Sequence, residues 1–194
     1  MDRLLYGIDR ISTWGGKLFA WSIVLLTAVV GYDVVMRGFG APTRWGFDVS
    51  SMLFGVLFMM AGAYTLSRNG HVRGDLIYRT LSVRGQAGLD LVLYFAFFLP
   101  GILALVYAGW EFAEKSWSIR EASSVTGSGL PVYHFKMVIP AAGALLALQA
   151  VAEMLRCVIC LRTGVWPRRL HDVEEADIDQ LKELVAGAER GAAR

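Results

Sequence analysis

The hydrophobic positions of the chain fall into four long runs that charged residues separate. One run has nineteen uncharged residues between Asp48 and Arg68, and another has twenty between Asp90 and Glu111. A helix needs about 20 apolar residues to cross a hydrocarbon core about 30 Å thick. The pattern predicts an all-α integral membrane protein with four transmembrane helices, at about residues 14–36, 48–67, 90–110 and 137–159.

The two ends of the chain carry weaker patterns. Residues 1–160 are interpreted as the transmembrane domain and residues 161–194 as a cytoplasmic tail. Before the first span, four apolar residues share one helical face: Leu4, Leu5, Ile8 and Ile11. Both an amphipathic helix on the membrane surface and an ordinary charged leader have this pattern, and both interpretations stay open. In the tail, four residues at helical spacing predict a short amphipathic helix: Ile178, Leu181, Val185 and Ala188.

Positive charge is distributed unevenly between the two sides of this four-span arrangement. One side carries eleven Lys and Arg residues: Arg3, Arg10, Lys17, Arg68, Arg73, Arg79, Arg84, Arg156, Arg162, Arg168 and Arg169. The other side carries five: Arg37, Arg44, Lys115, Arg120 and Lys136. Because cytoplasmic loops carry the excess of Lys and Arg, the count predicts that both termini are cytoplasmic.

Composition agrees with a membrane protein and argues against several other classes. The chain is 55% hydrophobic and 19% charged, with a mean hydropathy of +0.47, whereas soluble domains average about 25% charged residues. Its net charge of +2 gives no support for binding nucleic acid. The pair Cys157 and Cys160 is too small a ligand set for zinc, so we interpret both as packing residues.

The residues within the spans favour a structural role over chemistry. Three histidines lie in loops, at a helix edge or in the tail, which argues against a haem-binding redox subunit: His71, His134 and His171. Glu153 and Arg156 are interpreted as marking the far interface, so no charge lies near the middle of a span. Intramembrane charges usually mark solute or proton paths. We therefore expect no enzyme activity, no cofactor and no solute site in this chain alone.

Helix packing and outer-loop anchoring account for most other candidate residues. Small residues permit close helix contact, and proline disturbs a helix, so these are interpreted as packing features: Gly55, Gly62, Pro100, Gly143 and Ala147. Asp33 and Arg37 are four residues apart and can pair on one helical face. Arg37 and Asp48 flank the first outer loop. They predict either an ion pair that fixes the first two spans, a docking contact, or two separate interfacial anchors.

Short polar motifs occur in a fixed order around these spans. They are Asp33-Val-Val-Met-Arg37, Arg44-Trp45 with Asp48, Gly70-His71-Val72-Arg73-Gly74-Asp75, Ser116-Trp117, Arg120-Glu121 and Leu130-Pro131. From Trp14 to Cys160 the chain resembles the small membrane subunit, the Q or DctQ-like subunit, of tripartite ATP-independent periplasmic (TRAP) transporters. That family usually has glutamate at the position of Asp48, so here the charge is kept on a shorter side chain.

The resemblance implies a three-part transporter in the bacterial inner membrane. A periplasmic binding protein captures an organic anion, expected to be a carboxylate. A large, M-type permease subunit then carries the anion by an elevator motion coupled to sodium. The small subunit packs against the large one and helps to hold its scaffold among the membrane lipids. A standalone membrane scaffold or assembly protein without a transport role remains the alternative.

The resemblance also implies roles for loop residues. His71, Arg73 and Asp75 would form a hydrogen-bonded cap that positions the second and third spans, although Arg68 and Arg73 would also serve as simple positive anchors. Arg120 and Glu121 would face the periplasm, where they either contact the binding protein or remain solvated. We expect the docking or structural polar set to comprise Asp33, Arg37, Asp48, His71, Arg73, Asp75, Arg120 and Glu121.

Overall fold

The computed structural model of the chain describes residues 2–69, 78, 80–167 and 169. Within them the chain forms helices and no strand, and Ala122 and Pro131 make an isolated antiparallel bridge. The α-helices are α1 (Asp2–Ala20), α2 (Ser22–Gly38), α3 (Gly46–Ser67), α4 (Val83–Leu93), α5 (Leu99–Ser118), α6 (Tyr133–Lys136) and α7 (Val138–Thr163). A π-helical turn, Tyr94–Phe98, connects α4 to α5.

Four helical stretches within the described residues are long and apolar enough to cross a membrane. They are Arg3–Gly38, Gly46–Ser67, Val83–Ser118 and Tyr133–Thr163. This confirms the predicted all-α fold with four spans. The cap residues His71, Arg73 and Asp75 and the amphipathic helix expected after residue 170 lie outside the described residues.

The N-terminal segment is helical and is part of the bundle. α1 and α2 are separated only at Trp21, whose backbone keeps helical angles (φ −62°, ψ −17°). α1 packs against α3 and α7, and its Leu5 and Ile8 are buried together with Ala152 of α7. The prediction of an amphipathic helix before the first span is confirmed as far as the helix itself is concerned. Its apolar face, however, packs against α3 and α7.

α7 is the central helix of the bundle, in contact with α1, α3, α4 and α5. It is packed closely because many of its inward positions carry short side chains. The buried small residues of α7 include Ala142, Gly143, Ala150 and Ala152. Short side chains let neighbouring backbones approach each other, which is how helices commonly pack in membranes.

The irregularity expected at Pro100 takes the form of the π-helical turn that precedes it. Proline has no N–H to donate to the carbonyl four residues back, so the regular hydrogen-bond ladder cannot continue through it. The helix widens instead, and the Leu99 N–H donates to the Tyr94 carbonyl five residues earlier. The chain therefore remains helical across the whole stretch Val83–Ser118.

Large apolar side chains cover much of the outer surface of the helices. Phe54, Phe58, Phe95 and Phe97 are 60–71% exposed. Exposed apolar area of this kind is typical of surfaces that meet a membrane or another protein.

Candidate functional site

Asp33 fixes the turn that joins α2 to α3. Its Oδ2 accepts hydrogen bonds from Arg37 Nε at 2.8 Å and pairs with Arg37 Nη2 at 2.7 Å. Its Oδ1 accepts from the Thr43 backbone N–H at 3.2 Å and from the Thr43 hydroxyl. A Cβ on Gly46 would lie 2.5 Å from Thr43 Oγ1, so only glycine fits against this cluster. The expected pairing of Asp33 with Arg37 is present.

Asp48 holds a different segment, the loop 119–132 between α5 and α6. Its Oδ2 accepts hydrogen bonds from the Ser128 hydroxyl at 2.6 Å and from the Thr126 hydroxyl. The ion pair with Arg37 that the sequence suggested was therefore wrong. Arg37 is one helical turn from Asp33 and pairs with it, while the loop folds back over the first turn of α3 and occupies Asp48.

The same loop is fastened at its base by Glu121 and Lys136. Lys136 Nζ donates to Glu121 Oε2 and also lies 4.0 Å from the ring centroid of Phe112. The hydrogen bond from Lys136, followed by one from Ser116, lowers the pKa of Glu121 below its usual value. Arg120, the preceding residue, is exposed and adopts a left-handed backbone conformation with φ 47°.

A cavity of about 380 Å³ lies between this loop and the helices beneath it. Its walls include the rings of Phe47, Phe112 and Phe135 and the charged side chains of Asp48, Glu121 and Lys136. All three charged lining residues, Asp48, Glu121 and Lys136, already have partners within the chain, and the remaining lining is largely apolar.

A second polar cluster, which we call the Arg156 network, joins α1 to α7. Arg156 Nη2 donates to Asp9 Oδ2 at 2.6 Å, and Arg156 Nη1 donates to Glu153 Oε1. Gln149 Nε2 donates to Asp9 Oδ1 at 3.0 Å, and the Ser12 hydroxyl donates to Gln149 Oε1 at 2.8 Å. These five side chains are at most 2% exposed.

The Arg156 network also reaches the segment that follows α7. Arg169 Nη2 donates to Glu153 Oε2 at 2.8 Å, so two guanidinium groups oppose two carboxylates. The sequence interpretation had Glu153 and Arg156 mark the far interface and did not foresee that both side chains are buried within the bundle. Their spacing puts them on the inner face of α7, where α1 covers them. The spacing of Gln149, Glu153 and Arg156 along one helical face was the available signal.

The predicted packing residues differ in how closely they are approached. A Cβ on Gly55 would lie 2.5 Å from the Phe135 ring, and one on Gly143 would lie 2.8 Å from Val106 Cγ2. Gly62 is looser, with Leu146 at 3.8 Å, and Ala147 is half-buried. Gly16 was not among the predicted packing residues, yet a Cβ on Gly16 would lie 2.4 Å from the Tyr64 Cβ.

The polar clusters hold segments of the chain together through hydrogen bonds and ion pairs. Asp33, Asp48, Glu121 and Glu153 each accept hydrogen bonds from groups of the same chain. No group of three or more His, Cys, Asp or Glu side chains suited to a metal ion occurs in the part of the chain that the structure describes. Cys157 and Cys160 are buried free thiols.

Comparison with known proteins gives the family. The sequence family described as tripartite ATP-independent periplasmic transporters, DctQ component, matches residues 26–160. The chain belongs to the DctQ family. The match covers most of the chain and includes α3 to α6 entire, with most of α2 and of α7.

The polar clusters differ in whether their residues lie inside the range that the DctQ family matches. The clusters around Asp33, Asp48 and Glu121 lie wholly within residues 26–160, whereas the Arg156 network draws Asp9, Ser12 and Arg169 from outside them. A comparison with curated proteins finds no matching sequence. The chain is a transporter component with four helices able to span a membrane.

Proposed function

We propose that this chain is the small permease subunit that supports the large, M-type permease subunit in sodium-coupled uptake of an organic anion. The anion is a carboxylate that a periplasmic binding protein delivers to the inner membrane. The observation that carries the proposal is the DctQ match over residues 26–160. Sodium coupling and the solute path belong to the large subunit, and this chain catalyses no reaction.

Two cationic side chains that could have bound an anionic solute are paired within the chain, and this supports a structural role. A solute site for an anion needs a cationic or hydrogen-bonding group that is free to meet the cargo. Arg156 and Lys136 are instead paired with Glu153 and Glu121 inside the chain. Their donors therefore stabilise the bundle and its outer loop, which suits a subunit that positions a partner.

The outer surface supplies the proposed contacts with partners. The side chain of Arg37 is 61% exposed although it is paired with Asp33, and Arg120 is exposed beside Glu121. We assign Asp33, Asp48 and Glu121 to holding the outer loops, and Arg37 and Arg120 to partner contact. His71, Arg73 and Asp75 remain the proposed inner cap.

Co-purification with the large subunit tests the proposal. Expressed together in bacterial membranes, the two chains should elute as one complex in mild detergent. Vesicles that contain both should take up a labelled carboxylate when the binding protein and an inward sodium gradient are present. A standalone scaffold would elute without the large subunit, and solute accumulation by vesicles holding this chain alone would also overturn the proposal.

A further inference from the structure

Four side chains on one face of α5 line a shallow cavity at the C-terminal end of that helix. Trp110, Glu114, Trp117 and Ser118 stand at positions i, i+4, i+7 and i+8, so they share a helical face. Met137, just before α7, completes the lining. The cavity has a volume of about 360 Å³. We call it the Trp–Glu slot.

The slot is open at the surface, and its carboxylate is available to a ligand. Trp110 is 55% exposed and Trp117 is 49% exposed, and Glu114 is exposed between them. Among the described residues, Glu114 takes part in no hydrogen bond or ion pair. Asp48 and Glu121, at the same end of the bundle, are both occupied by partners from their own chain.

One wall of the slot is held in place by neighbouring rings. The Trp117 ring packs edge-to-face against Tyr133, with centroids 4.9 Å apart, and against His134, with centroids 5.2 Å apart. These contacts limit the rotation of the indole. The slot therefore presents a preformed aromatic wall beside a carboxylate.

This combination suits a positively charged ammonium group. The face of an indole ring attracts cations, and aromatic cages are a common way to bind substituted ammonium ions. Glu114 adds a full negative charge, and the C-terminal end of α5 adds the negative end of a helix dipole. A nearby cationic side chain is Lys115, which lies about 100° around the helix from Glu114 and therefore off the face of the slot.

The position of the slot identifies the source of the ammonium group. The apolar run 91–110 ends at Trp110, and tryptophan is enriched where the hydrocarbon meets the lipid headgroups. We propose that the Trp–Glu slot binds the ammonium headgroup of a zwitterionic phospholipid of the phosphatidylethanolamine type.

Lipid retention by the full chain tests this inference. The protein is equilibrated in detergent with equal amounts of phosphatidylethanolamine and phosphatidylglycerol that carry the same acyl chains, and bound lipid is counted by native mass spectrometry. We expect about 3- to 10-fold more phosphatidylethanolamine on the wild type, since an exposed cation–π contact and an exposed ion pair are each worth a few-fold in affinity. Equal retention of the two lipids would overturn the proposal.

The variant Glu114→Gln keeps the shape of the slot and removes its charge, and it changes an exposed residue, so folding is retained. It should bring the two lipids to near parity. Glu111→Gln is the matched control, because Glu111 lies one turn away on the same helix and is already bonded to Tyr107. A full preference in Glu114→Gln, or an equal loss in Glu111→Gln, would contradict the assignment.

A photoreactive amino acid in place of Ser118 distinguishes lipid from protein at the slot. In membranes that contain the large subunit, we expect cross-links to lipid. A cross-link to the large subunit would show that protein covers the slot, and it would overturn the lipid assignment while leaving the proposed function intact.

Discussion

The guanidinium group of Arg156 is fully buried between two carboxylates that come from different helices. Burying an ion pair costs much of what the pairing returns, so such a pair is weak evidence for stability by itself. Removing one partner is different, because the remaining charges stay buried without compensation. At this position the cost falls chiefly on Asp9, which loses its ion pair with Arg156, whereas Glu153 keeps its ion pair with Arg169.

We therefore expect Arg156→Ala to destabilise the protein by about 3–5 kcal/mol. The apparent unfolding midpoint in detergent, followed by size-exclusion chromatography after heating, measures the change. Arg162→Ala is the matched control, since Arg162 lies near the end of the same helix and is exposed. Equal midpoints for the two variants would show that the Arg156 network does not hold α1 to α7.

Glu121 gives a prediction about pH. Its pKa is lowered in the folded chain, chiefly by the hydrogen bond from Lys136. A carboxyl group with a lowered folded-state pKa contributes stability above its unfolded value, here 4.5, and loses that contribution as pH falls through the folded value. The difference in midpoint between wild type and Glu121→Gln should therefore be constant near neutral pH and shrink below pH 4.5.

The comparison with Glu121→Gln isolates this pair from other carboxylates that titrate in the same range. A difference that is lost already near neutral pH would mean that Glu121 is not held by Lys136 in the folded protein. A difference that persists to the acid limit would mean the same, because protonated Glu121 cannot keep the ion pair.

At the scale of helices, two glycines with the same backbone role have different surroundings. A Cβ on Gly143 of α7 would lie 2.8 Å from Val106 Cγ2, whereas one on Gly101 of α5 would meet nothing within 4 Å. Gly143→Ala should destabilise the bundle by about 1–3 kcal/mol through overpacking. Gly101→Ala should be neutral or stabilising by about 0.5–1 kcal/mol, because alanine restricts the unfolded chain.

Unfolding midpoints of these two variants, measured side by side, test the contact between α5 and α7. Because the chemical change is the same, their difference removes the effect of helix propensity. If Gly143→Ala were as stable as Gly101→Ala, then α5 and α7 would not approach each other as closely as the structure has them.

The four helices could be predicted from sequence because one local criterion identifies each of them. A run such as 49–67 is apolar throughout, and crossing hydrocarbon requires nothing from distant parts of the chain. The partners of Asp48 and Arg156 required long-range information instead. Asp48 meets Ser128, 80 residues away, and Arg156 meets Asp9, 147 residues away. The sequence offered Arg37 as one possible partner of Asp48 because the two residues flank the first outer loop, whereas in the structure the loop 119–132 supplies the partners.

At the scale of the whole molecule, the distribution of Lys and Arg gives a prediction about orientation. Four single crossings would put the start of α1, the end of α3 and the end of α7 on one side of the membrane, and the loop 119–132 on the other. Positive charge is concentrated on the first side, so that side should be cytoplasmic. The proposed contact of Arg120 with a periplasmic binding protein depends on this orientation.

Cysteine labelling in intact cells tests the orientation directly. Val125 is 74% exposed in the loop 119–132, and Arg162 is exposed near the end of α7. We expect Val125→Cys to react with a membrane-impermeant maleimide from outside, and Arg162→Cys to react only after the membrane is opened. The native thiols Cys157 and Cys160 are at most 1% exposed and should give little background. The reverse labelling pattern would put the loop 119–132 in the cytoplasm and remove the basis for contact with a periplasmic partner.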